Sequence, residues 1–366
     1  MRKYFLLLVL ACFLWGCSSE DKQLRLNQIQ ILGSHNSYKS KMHPSLWRAV
    51  YNQDTTTAME LDYGHVPLKD QLDLGIRALE LDVFHDPQGG KYSVPYGIML
   101  ILESGGSPDQ FDGKVLQDPG LKVMHIQDID FGSNNPSFRS CLREINDWSE
   151  QHPRHLPIII TINAKDEVIN DPNFVKPLPF TTNALDSIDL EIRSVFREKQ
   201  LITPYTVRKD SVSLEESVLQ NGWPAIEDLR GKFLFVLDEN GEKMQRYISG
   251  HPSLGGRVMF VNAPIGTPEA AFVIMNDPVK NLEKIQGLVK KGYLVRTRAD
   301  AGTWEARNND LTRFEKSLES GAHIISTDYY LPDSSIGTGY HVSLANDKIV
   351  LCNPLFPQNH CSISED

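Results

Sequence analysis

The chain has 366 residues, of which 40% are hydrophobic, enough to build a sizeable core and too many for extended disorder. Its 37 Lys and Arg stand against 47 Asp and Glu, a formal charge of -10. That acidic balance argues against a nucleic-acid partner, which calls for a basic surface.

In chain order, the first segment is a targeting signal. Arg2 and Lys3 precede an apolar run, Tyr4 to Trp15, that is shorter than the roughly 20 residues of a membrane-spanning helix. The run closes on Gly16-Cys17, followed by the polar stretch Ser18-Ser19-Glu20-Asp21-Lys22. This is the order of a bacterial lipoprotein. Residues 1–16 are read as the signal, Cys17 as the lipidated residue and 17–26 as a polar tether. The expected location is a cell-envelope membrane, with the outer membrane favoured and the face left open. Cys12 is the weaker rival for the lipid, because it would halve the apolar run. In an exported chain, Cys352 and Cys361 are a plausible disulfide that pins the C-terminal tail. The cysteines lack the spacing and histidine partners of a zinc site.

From residue 27 onward, β-type runs alternate with helical patterns. The runs are Ile29 to Ser34, Ala78 to Phe84, Lys122 to Ile126, Ile158 to Asn163, Phe233 to Asp238, Val258 to Asn262, Tyr293 to Thr297 and His323 to Thr327. Leu201 to Thr203 is either a ninth strand or a connector. Helical stretches lie between, as in Phe138 to His152, Ala184 to Lys199 and Leu311 to Ser320. Continuous apolar runs suit parallel strands covered on both faces. The expectation is an α/β chain in which residues 27–366 form a single distorted (β/α)8 TIM barrel.

Polar residues gather at the ends of these runs, which in such a barrel converge on one mouth. Glu80 and Asp82 are two apart on a strand and leave the same face. Two adjacent interior carboxylates call for a cation or shifted pKa values, and a hard divalent ion such as calcium is the natural answer. Asn36 and Asn163 can add amide oxygens. His35 and His125 suit general acid–base work near neutral pH. His85, three residues past Asp82, is the rival second histidine. Lys165, two past Asn163, suits an anionic phosphate oxygen, with a salt bridge to Glu80 or Asp82 as its structural alternative.

These motifs are recognisable. Gly33-Ser34-His35-Asn36-Ser37-Tyr38 and Gln71-Leu72-Asp73-Leu74-Gly75-Ile76-Arg77-Ala78-Leu79-Glu80-Leu81-Asp82 resemble the calcium-dependent phosphatidylinositol-specific phospholipases C, most closely the bacterial branch. The likeness continues through Lys122-Val123-Met124-His125, Gly222-Trp223-Pro224, Val295 to Asp300, Gly321 to Asp328 and Cys352-Asn353-Pro354. The resemblance implies a phosphodiesterase, with His35 and His125 as catalytic histidines and Asn36, Glu80 and Asp82 as calcium ligands. Asn163 stands where the family usually has a glutamate, so calcium is expected to bind weakly, at ~10⁻⁴–10⁻³ M. Lys165, Arg296 and Arg298 are assigned to the substrate.

The implied reaction is cleavage of an inositol phospholipid to diacylglycerol and a cyclic inositol phosphate, by an enzyme held at a membrane through its lipid anchor. Two alternatives remain. One is a glycerophosphodiester phosphodiesterase, although the His-Arg-Gly signal of strand one is replaced by His35-Asn36-Ser37. The other is an inositol- or glycan-binding lipoprotein without catalysis.

Overall fold

The structure, a computed structural model, describes residues 24–108, 111–208, 213–356 and 363–365. The signal, Cys17 and Cys361 lie outside them. Ten strands follow in order: β1 (Ile29–Ser34), β2 (Ala78–Phe84), β3 (Lys122–Val123), β4 (Ile158–Ala164), β5 (Phe233–Leu237), β6 (Phe260–Val261), β7 (Phe272–Ile274), β8 (Leu294–Arg298), β9 (Ile324–Thr327) and β10 (Val350–Cys352).

Eight of them pair in the order β6-β5-β4-β2-β1-β9-β8-β7, all parallel. The two ends of this path meet at one parallel bridge, Asn262 to Phe272, beside which the Asn262 side chain accepts the Ile274 N–H at 3.0 Å. The result is a nearly closed (β/α)8 barrel with a thin seam between β6 and β7. Its strands read as unbroken apolar runs because both faces are covered. In β5, Phe-Leu-Phe-Val-Leu, every residue is buried, each side chain contributing roughly 1.5–3 kcal/mol on burial. Neighbouring strands come close where β1 meets β2. A Cβ on Gly33 would lie 2.8 Å from that of Ala78, so only glycine fits there.

One expected strand is not in the barrel. Of the run Lys122 to Ile126, only two residues form a strand, and β3 runs antiparallel to the far end of β2. The run resembles a barrel strand because all but its last two residues are buried. Lys122, however, turns its ammonium onto the carbonyls of Asp118 and Gly120. The eighth barrel strand is β7, whose three residues are too short to give a run of their own. Leu201 makes a single bridge to Phe233 and is a connector.

The ends of the chain are tied to the barrel. Leu24 to Leu26, expected as tether, already belong to the fold: Leu26 is buried, and Leu24 accepts a hydrogen bond from the Ile226 N–H at 2.9 Å. At the other end β10 pairs antiparallel with β1, and Cys352 is disulfide-bonded. Among the described residues, no helix is long and apolar enough to cross a membrane.

His323, just ahead of β9, knits this base together. Its Nδ1 accepts the Val295 N–H at 3.0 Å, so its Nε2–H donates to Asn27 O at 2.9 Å. Burial lowers its pKa to about 4. The unfolded chain therefore takes this proton first, near pH 6.5, and stability is lost as pH falls from there toward 4, by up to ~1.4 kcal/mol per pH unit. His323→Gln should remove that loss. Urea titrations at pH 6.5 and 5 should show the wild type losing up to about 2 kcal/mol more than the variant; equal losses would rule this out.

Candidate active site

The C-terminal ends of β1, β2, β4, β5, β8 and β9 open on one side of the barrel and carry the polar groups. Glu80 and Asp82 point inward from β2 and are only 3% and 2% exposed. Asn163 on β4 is in register with Asp82. Its Nδ2 donates to Glu80 Oε1 and Asp82 Oδ1, both at 2.9 Å. The other Glu80 oxygen accepts from the Arg296 guanidinium. Lys165 Nζ lies 3.8 Å from Asp82 Oδ2.

These partners split the pair electrostatically. Burial alone would raise Glu80, but Arg296, His35 and Arg298 outweigh it and hold that carboxyl below its usual range. Asp82 goes the other way: its burial wins over Lys165 and His125, and Glu80 adds to the rise. Asp238, just past β5, is raised to about 7, mainly by burial, against the pull of Arg296 at 3.6 Å.

His35 follows β1 directly. Arg298 Nη1, which can only donate, reaches His35 Nε2 at 3.2 Å. The ring proton is therefore on Nδ1 and is donated to Asp328 Oδ1 at 2.9 Å. Arg298 also pairs with Asp328 at 2.8 Å, and together with His35 it holds the Asp328 carboxyl well below the usual range despite burial. Asn36 sits at φ 46°, a left-handed turn that asparagine tolerates. Its Nδ2 donates to Tyr63 Oη at 2.8 Å.

His125 is placed by a loop rather than by a strand. Two backbone hydrogen bonds between Ile126 and Asp130, at 3.2 and 2.9 Å, close a tight turn that carries Asp128 at φ 76°. The turn brings Asp130 Oδ2 to 2.8 Å from His125 Nδ1. His125 is near enough to Asp82 for its charge to lower that carboxyl's pKa. His85 is half-buried, with its ring 5.9 Å from that of Phe180.

The structure thus gathers Glu80, Asp82, Asn163, Lys165 and Arg296 into one cluster and adjoins it to His35 and Arg298. Arg296, assigned to the substrate from sequence, is buried and neutralises Glu80 and Asp238. Asp328, Asp130, Asp238, Tyr63 and Lys39 went unassigned. Asp238 and Asp328 do stand at the ends of apolar runs, a signal that could have found them.

The donor set suits calcium. Glu80 and Asp82 each direct one oxygen to the Asn163 amide, and hard cations take oxygen ligands, whereas Asn36, the other expected amide ligand, turns its amide nitrogen to Tyr63. Half a turn of the Asn163 amide would present its oxygen in place of its nitrogen. Among the described residues no group of three His, Cys, Asp or Glu is placed to hold a metal ion.

A family model described as phosphoinositide phospholipase C, Ca2+-dependent, matches residues 24–354. Among solved structures, the calcium-dependent phosphoinositol-specific phospholipase C of a Gram-negative Pseudomonas species, in an apo form with myo-inositol, aligns with a TM-score of 0.54 at 15% identity, covering 90% of this chain and 96% of that one. The calcium-dependent phosphatidylinositol-specific enzyme of Streptomyces antibioticus aligns with a TM-score of 0.53 at 17% identity, covering 86% of this chain and 98% of that one. A search of curated proteins finds no match.

Proposed function

This chain belongs to the Ca2+-dependent phosphoinositide phospholipase C family and is a phosphodiesterase of that type, and from this premise we propose that it cleaves phosphatidylinositol or a related inositol phospholipid. The observation that carries the reading is a pair of histidines, each held at Nδ1 by a buried carboxylate, at a mouth that also holds Glu80 and Asp82.

In this mechanism Arg298 and Lys165 bind the phosphate oxygens. His35 serves as phosphate contact or base; as base it takes the proton of the inositol 2-hydroxyl on its unprotonated Nε2. The alkoxide oxygen attacks phosphorus, and the bond from phosphorus to the diacylglycerol oxygen breaks. His125, acting as the imidazolium with its Nδ1–H held by Asp130, gives its Nε2 proton to that leaving oxygen. The products are diacylglycerol and a cyclic inositol phosphate. Glu80, Asp82, Asn36 and Asn163 would hold the calcium ion, which when bound lowers the hydroxyl pKa and offsets charge on the phosphoryl group.

Phosphorus NMR of reactions with several phosphodiesters, with and without a calcium chelator, tests the reading. A cyclic phosphate from phosphatidylinositol, lost on chelation, supports it. Glycerol 3-phosphate from soluble diesters would move the chain to another phosphodiesterase class, and silence across the panel would make it a binding protein.

Calcium affinity follows ligand charge. Asn163→Glu adds a third negative charge and should tighten calcium by one or two decades, ~1.4–2.8 kcal/mol, in a calorimetric titration. Equal affinities would show that residue 163 does not touch the ion.

We also propose that Cys17 carries a lipid that holds the enzyme at a cell-envelope membrane. Mass spectrometry of the protein recovered from membranes should find the acylated cysteine at the N-terminus, and an unmodified Cys17 would remove the idea.

A further inference from the structure

We propose that Lys39 is a positioning residue for His125, acting through Asp130, and that the same cation ties His125 to the loop carrying His35. Lys39 lies four residues after His35 and is fully buried. Its ammonium is 3.2 Å from Asp130 Oδ1 and donates to the carbonyls of Leu61 at 3.0 Å and Tyr63 at 2.8 Å. It also sits 4.6 Å from the centre of the Tyr63 ring.

Asp130 is equally buried and divides its oxygens. Oδ2 accepts from His125. Oδ1 has no hydrogen bond, so the ion pair with Lys39 is what compensates it. A hydrogen bond at one oxygen and an ion pair at the other restrain the carboxylate from rotating. It fixes the proton of His125 on Nδ1 and leaves Nε2 to exchange a proton with substrate. Burial works to raise the Asp130 pKa, but Lys39, then His125, outweigh it, and the carboxylate stays ionised.

The other side of Lys39 reaches the first histidine. The Tyr63 ring stacks on His35 with centroids 5.9 Å apart, and its Oη is 3.4 Å from His35 Nδ1. One ammonium therefore fixes the backbone of the residue that backs His35 and the carboxylate that orients His125. An apolar pair in place of Lys39 and Asp130 would fill the same space at less cost in desolvation, since buried ion pairs can often be replaced without loss of stability. It would not set two orientations at once.

The test uses the full chain, and its kinetic arm rests on the phospholipase reading above, with phosphatidylinositol in detergent micelles as substrate. Lys39→Met should lower kcat by ~10–10²-fold with KM unchanged, the scale of a displaced catalytic group. In a His125→Ala background the same change should cost several-fold less, because the group positioned through Asp130 is gone and only the tie to His35 through Tyr63 remains. Losses that multiply, or a Lys39→Met enzyme with normal kcat, would overturn the proposal. If Lys39→Met does not fold, Asp130→Asn is compared with Lys39→Met/Asp130→Asn, which removes both charges. Equal kcat values support action through Asp130; a further tenfold loss in the double variant refutes it. Nitrogen-15 spectra of His125 need no substrate. Recorded with the ring neutral, the wild type should show the Nδ1–H tautomer and the variants a mixture, and an unchanged tautomer would sink the idea. If the wild type leaves phosphatidylinositol intact, the functional reading falls while this arm still decides the role of Lys39.

Discussion

His125→Ala is expected to lower turnover by ~10²–10⁴-fold, the usual contribution of a general acid or base. The fold should survive with a loss of ~1–3 kcal/mol, because the ring is partly exposed and Lys39 still faces Asp130, whose Oδ2 loses its hydrogen bond. The paired control is His85→Ala. That ring packs on Phe180, so its loss should cost less than tenfold in turnover. Steady-state kinetics on both variants, with circular dichroism to establish folding, separate the two histidines. A crippled His85 variant beside an active His125 variant would reverse the assignment.

Arg296→Met should be the most damaging single change to stability at the site. The guanidinium is 3% exposed, pairs with Glu80, lies 3.6 Å from Asp238 and donates to Ser326 Oγ at 3.2 Å. Its removal leaves a buried carboxylate without its principal cation, a change worth ~3–5 kcal/mol. Restoring charge balance with Arg296→Met/Glu80→Gln should recover much of that stability without recovering activity. Denaturant titration of both variants measures it. A single variant as stable as the wild type would mean that Arg296 is not what keeps Glu80 ionised.

The parts of this site that could be read in the sequence are those with a local period. Glu80 and Asp82 share a face because side chains on a strand alternate, and that holds whatever the strand packs against. His35 was legible because it closes an apolar run. His125 was identified by its motif, but its setting was not. Lys122 to Ile126 looks like a strand, and only the fold reveals that β3 leaves the barrel and that a turn to Asp130 places the ring. The strand that takes its place, β7, has three residues and no pattern to detect. Lys39 and Tyr63 carry no periodic signal at all. Their contacts with Asp130 and His35 join residues 28 or more positions apart, and such pairings exist only once the chain has closed.

The thin joint between β6 and β7 bears on how the barrel moves. Around the ring, the strands that carry His35, Glu80, Asp82, Asn163 and Asp328 lie together on the β4, β2, β1 and β9 side, away from that joint. Local opening follows the weakest hydrogen-bonded contacts. The wall can therefore breathe where one backbone bridge and one amide side chain hold it, while β2 and β4 beneath Glu80, Asp82 and Asn163 stay laced over six register pairs. Amide hydrogens at residues 272–274 should exchange with solvent well before those of β2 and β4, and the enzyme should tolerate a chain break at residues 264–268 far better than one near residue 130. The molecule keeps its firmest lacing under Glu80, Asp82 and Asn163.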